Sequence, residues 1–150
     1  MKRLFGVLLI AGAALVIGAD EKKDDAVKEE MKKFEGTWVC VSVEQMGEKA
    51  PADAVKGIKA VVKGDKVTIS QGDMVLDEST YTVDPTKKPK TMDITTTTGT
   101  DKGKKSYAIY QLDGDKLLIC MVENEKDRPK ELATKKDSKG TLIEYKREKK

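Results

Sequence analysis

The chain of 150 residues contains no histidine. That absence removes His-dependent nucleophilic triads, the usual general base near neutral pH and most zinc sites. Two cysteines, four prolines and one tryptophan are present, and aromatic residues make up only 5%. Neither a disulfide-dense framework nor metal-ligand cysteine spacing fits that inventory. Charge of one sign is also lacking, since 29 Lys and Arg face 26 Asp and Glu for a net +3. A nucleic-acid binder working by bulk positive charge is thereby excluded. After the first nineteen residues no apolar run reaches the roughly 20 residues that span a bilayer.

Met1-Lys2-Arg3 is a positive start, Leu4 to Ile17 is apolar apart from Gly6 and Gly12, and small Gly18-Ala19 precede Asp20. This succession reads as a signal peptide over 1–19. The expected product begins at Asp20, is soluble in a secreted or periplasmic location, and has no stable membrane insertion. No cysteine follows the small residues, so a lipoprotein anchor is not expected. Without this segment the net charge falls to about +1 and apolar side chains make up about a third of the remainder. That is enough for one domain with a modest core.

Residues 20–35 form a charged lead-in. Val27, Met31 and Phe34 fall at i, i+4 and i+7, which predicts a short amphipathic helix with Asp24 or Asp25 as its cap. From Gly36 the period changes to two. Strands are expected near Thr37–Glu44, Ile58–Lys63, Lys66–Gln71, Met74–Asp84 as one bent strand or two, Thr91–Thr98, Lys104–Leu112, Lys116–Val122 and Gly140–Arg147. Gly64-Asp65, Gly72-Asp73 and Asp113-Gly114 read as hairpin turns, and Pro51 to Lys56 as a helical turn. Each strand offers one apolar face, and a small chain protects its strand edges most simply by closing on itself. Residues 36–148 are therefore expected to form an all-β, eight-stranded antiparallel up-and-down barrel. The first strand breaks the alternation, with Val39, Val41 and Val43 opposite Trp38, Cys40 and Ser42; a bulge or burial on both faces would reconcile them.

The alternation assigns Ile58, Val62, Val67, Ile69, Tyr110, Leu112, Leu117, Ile119 and Met121 to the barrel interior, where they would line any ligand site. Cys40 and Cys120 sit in apolar runs, either as a disulfide favoured by export or as buried free thiols. Asp84 to Lys90 reads as a stiff solvated loop, and Asp73, Asp77, Glu78, Asp113 and Asp115 read as turn residues rather than acid–base pairs. No catalytic residue, metal set or cofactor motif emerges, so an enzyme is not expected.

Gly36-Thr37-Trp38 resembles the Gly-x-Trp signature of lipocalins and related calycin barrels, in which the Trp closes one barrel end beneath a basic residue of the last strand. Arg147 stands in the matching place. More extensively, Glu35-Gly36-Thr37-Trp38, Lys56-Gly57-Ile58, Gly64-Asp65-Lys66-Val67, Asp84 to Lys90, Asp101 to Lys104, Ile109-Tyr110 through Asp115, Cys120, Arg128-Pro129 and Lys146-Arg147-Glu148 resemble an uncharacterised family of secreted lipocalin-like domains common in planctomycete-type bacteria. The resemblance covers nearly the whole of residues 20–150. The chain departs from it in the Thr-rich run Thr95 to Thr98 and in Cys40, where an ordinary strand residue is expected. The resemblance implies the barrel, a Trp38–Arg147 plug and a small apolar or amphipathic ligand held inside. The alternative is a side-chain-filled barrel serving as a cell-envelope interaction domain, with its protein partner unspecified.

Overall fold

The computed structural model describes residues 18–149. The helix α1 runs Gly18–Phe34, followed by the strands β1 Gly36–Gln45 and β2 Glu48–Lys49, then the short helix α2 Ala52–Val55. The meander continues through β3 Ile58–Lys63, β4 Lys66–Gln71, β5 Met74–Asp84, β6 Lys90–Thr96, β7 Lys105–Asp113, β8 Lys116–Val122 and β9 Thr141–Arg147. Each strand pairs antiparallel with its neighbour, and β9 returns to β1, closing eight strands into a barrel. The two-residue β2 hangs on β1 as a ninth strand. Met74–Asp84 is one strand, and of residues 1–19 only Gly18 and Ala19 fall among the described residues, as the first residues of α1.

Closure explains how so short a chain protects its backbone, because a closed sheet leaves no edge to pair with another molecule. The predicted irregularity of the first strand is a register shift between Cys40 and Ser42 against β9. Trp38 and Cys40 point inward, Val41 is 48% exposed, and Val43 resumes the inward face beyond the bulge.

The helix begins earlier than the expected cap at Asp24 or Asp25, and both residues lie inside it. Its apolar side packs as predicted: Phe34 is buried, with Val27 and Met31 partly so. Glu30 is buried on the same side.

A second feature lies outside the barrel wall. The segment from 123 to 140, carrying the 3-10 turn Glu125–Asp127, covers the outer face of β7 and β8 and buries Ile109, Cys120 and Val122. Arg128 holds it there, donating to the carbonyls of Ala108 at 2.9 Å and Met92 at 3.3 Å and pairing with Asp93 at 2.5 Å. Its guanidinium also lies 5.3 Å from the Tyr107 ring centre.

Candidate functional site

One end of the barrel is closed by the end of α1. Phe34 meets Tyr110 and Tyr81 edge-on, with ring centres 5.1 and 5.7 Å apart. Trp38 is fully buried, and its indole Nε1–H donates to the Phe34 carbonyl at 2.8 Å, satisfying one of the carbonyls that a helix end leaves open. Arg147, opposite Trp38 in the β1–β9 register, lays its guanidinium 4.2 Å from the indole ring centre. It also donates to the carbonyls of Glu35 at 2.7 Å and Lys33 at 2.6 Å, and pairs with Asp115 at 3.2 Å. A cation is favoured at this helix terminus, and one side chain joins α1, β1 and the β7–β8 turn.

Gly36 makes the approach possible. Its φ is +125°, a region side-chain-bearing residues rarely adopt, and a Cβ there would stand 3.2 Å from Arg147 Nη1. The Gly-x-Trp spacing thus places a backbone without a side chain under the guanidinium and an indole two residues later on the inward face.

Glu30 is the second anchor of the helix, and sequence periodicity gave no sign of it. Its carboxylate accepts from Lys90 at 2.7 Å, Lys33 at 3.0 Å and the Tyr110 hydroxyl at 3.0 Å. Burial alone would push this carboxyl up, but the donors outweigh it and hold it below its ordinary value. The Tyr110 phenol is pushed far up, first by burial and then by the Glu30 charge. At Tyr81 burial, with the charges of Glu35 and Asp65, raises the phenol to about 12.

Above this floor the barrel is hollow. A cavity of about 350 Å³ runs from Phe34 and Trp38 toward the opposite end, at the small end of the range for ligand sites. Of the nine expected interior residues, Ile58, Val62, Val67, Ile69, Leu117, Ile119 and Met121 line it. Tyr110 and Leu112 do not. Tyr110 faces inward but lies beneath the cavity, held by Phe34 and Glu30, and Leu112 packs against the core near the closed-end turn.

The polar groups on the wall were not expected. Asp77, Ser79, Thr96 and Ser106 line it on β5, β6 and β7. Asp77 is a wall residue rather than a turn residue: it pairs with Ile69 of β4 and continues the inward alternation of Ser79, Tyr81 and Val83. In a regular strand Leu76 and Asp77 would point to opposite faces; Leu76, left unpaired where the β4–β5 register shifts between Ile69 and Ser70, reaches the cavity as well. At the rim, Met74, Val75 and Leu76 are exposed.

The thiols of Cys40 and Cys120 are free and buried, and the candidate disulfide is not formed. Cys40 lines the cavity, whereas Cys120 faces outward beneath the segment from 123 to 140, so the barrel wall separates them. Burial raises both thiols above their ordinary value. Among the described residues no group of three or more Cys, Asp or Glu is placed to hold a metal ion, and no helix is long and apolar enough to cross a membrane. No protein-family model matches the chain, and a search of curated proteins likewise finds no match.

Proposed function

We propose that this barrel is an exported carrier or binding module that holds one small apolar or amphipathic molecule in its interior. The observation that carries the reading is the cavity of about 350 Å³, floored by Phe34 and Trp38 and walled mainly by aliphatic side chains. Burying apolar surface there would contribute about 25 cal/mol per Å² of ligand removed from water. The Trp38–Arg147 plug supports the resemblance to lipocalin-like domains, because it closes one end and leaves the other as the way in. A side-chain-filled interaction domain would not need this space. The proposal includes export through residues 1–19, which mass spectrometry of the protein from its native source tests by finding a chain that starts at or near Asp20.

Titration with a neutral, environment-sensitive dye tests the binding reading. Saturable enhancement by the folded protein, lost in Ile69→Trp, is the expected result. Dye binding that is non-saturable, or that survives filling of the cavity with an indole, would overturn it.

A further inference from the structure

We infer that the preferred occupant carries a hydrogen-bond-donating head, cationic or neutral, and that Asp77 with Ser79 receives that head. The inference rests on the cavity reading above and deepens it.

The interior is chemically lopsided. Its polar side chains from β5, β6 and β7 stand together: Ser79 and Thr96 face each other across β5 and β6, and Ser106 lies on the adjoining strand. Across from them Val43, Ile143 and Met121 of β1, β9 and β8 are apolar, and the Cys40 thiol and Tyr145 phenol on that side lie nearer the Trp38 floor. An occupant with one polar end therefore has one orientation that matches the lining, with its head against β5–β7 and its tail toward Trp38.

The sign of the polar wall sets the head chemistry. Asp77 is the one carboxylate on the lining, and no Lys or Arg lines the cavity among the described residues. Ser79 Oγ donates to Asp77 Oδ2 at 2.9 Å, so that hydroxyl proton is already committed and the carboxylate has further lone pairs to offer. A carboxylate head would meet like charge without a cation to offset it. An ammonium would form a charge-assisted hydrogen bond, and an alcohol a weaker one. The lining consequently disfavours a fatty acid, the commonest amphiphile with a single polar end.

Competition by decylamine, decanol and decanoate against the bound neutral dye, below their aggregation limits, tests this with one tail and three heads. The expected order is amine, then alcohol, then carboxylate, with about tenfold between amine and alcohol, the difference between a charge-assisted and a neutral hydrogen bond. The net charge is positive with or without residues 1–19, +3 or about +1, and does not favour an amine, so amine preference reports the local carboxylate. Asp77→Asn, with its own dye affinity measured first and its folding checked by Trp38 emission and the urea midpoint, should bring amine and alcohol within about twofold. Equal affinities, preference for decanoate, or amine preference that survives in Asp77→Asn would overturn the inference and leave the cavity reading standing. Failure of the dye itself to bind would overturn both.

Discussion

Replacing Arg147 with alanine removes the side chain that ties the helix end, the first strand and the β7–β8 turn together. Its guanidinium over the Trp38 ring at 4.2 Å contributes about 0.5–2 kcal/mol. Its two bonds to the Lys33 and Glu35 carbonyls contribute about 1 kcal/mol each, below the range of about 1.5–3 kcal/mol for charged groups, because water can reach a helix end. The pair with Asp115, a half-exposed carboxylate, adds at most about 1 kcal/mol. The expected loss is about 3 kcal/mol, which at an m-value of about 2 kcal/mol/M lowers the urea midpoint by about 1.5 M. Trp38 is the only tryptophan, so its emission follows the plug without interference and should shift to the red in the native baseline of the variant. Arg147→Lys keeps the charge but loses the fork and the stacking, and should fall about midway. A midpoint for Arg147→Ala within error of the parent would refute the reasoning, and the plug would then contribute nothing to stability.

Three further outcomes follow from the same geometry. Glu30 has a depressed native pKa, so its stabilising contribution is complete above the unfolded value of about 4.3 and is lost as pH falls through the native value. Urea melts from neutral pH to about pH 3 should therefore show the parent losing its advantage over Glu30→Gln as acid is added; parallel curves would contradict this. Gly36→Ala forces a side chain into a φ of +125° and against Arg147, and should cost about 1–3 kcal/mol in the same melts; a neutral result would contradict the close approach. Arg128→Ala releases the segment covering Cys120, so one thiol should react quickly with a thiol reagent in the variant and neither in the parent; a slow variant would show that Arg128 does not hold that segment.

How much of this was legible in the sequence depends on whether a residue's role is set by its own strand or by a distant one. Ile58, Val62, Val67 and Ile69 alternate with polar neighbours, so local period alone placed them inside. The Trp38–Arg147 pair was legible through its resemblance to a known plug and then through its register. Asp77 was not: it continues the inward alternation of Ser79, Tyr81 and Val83, but that face of β5 changes from apolar to polar at Ser79, and the acidic pair Asp77-Glu78 close to the Gly72-Asp73 turn read as turn residues instead. Tyr110 was correctly read as inward, but its depth depends on where α1 ends, and so it forms the floor rather than the lining. Ile109, Cys120 and Val122 made β7 and β8 apolar on both faces, and their outer cover is a segment with little regular structure of its own.

The central claim is that the barrel interior is a ligand site, and isoleucine methyl groups report on it directly. Ile58, Ile69, Ile94, Ile119 and Ile143 line the cavity, while Ile109 is buried but faces outward. A titration of methyl-labelled protein with decanol, followed by NMR, should move the five interior δ1 methyls together and saturate at one ligand per chain, with Ile109 unmoved. Interior methyls that stay fixed throughout the titration, or that move no more than Ile109, would contradict the account.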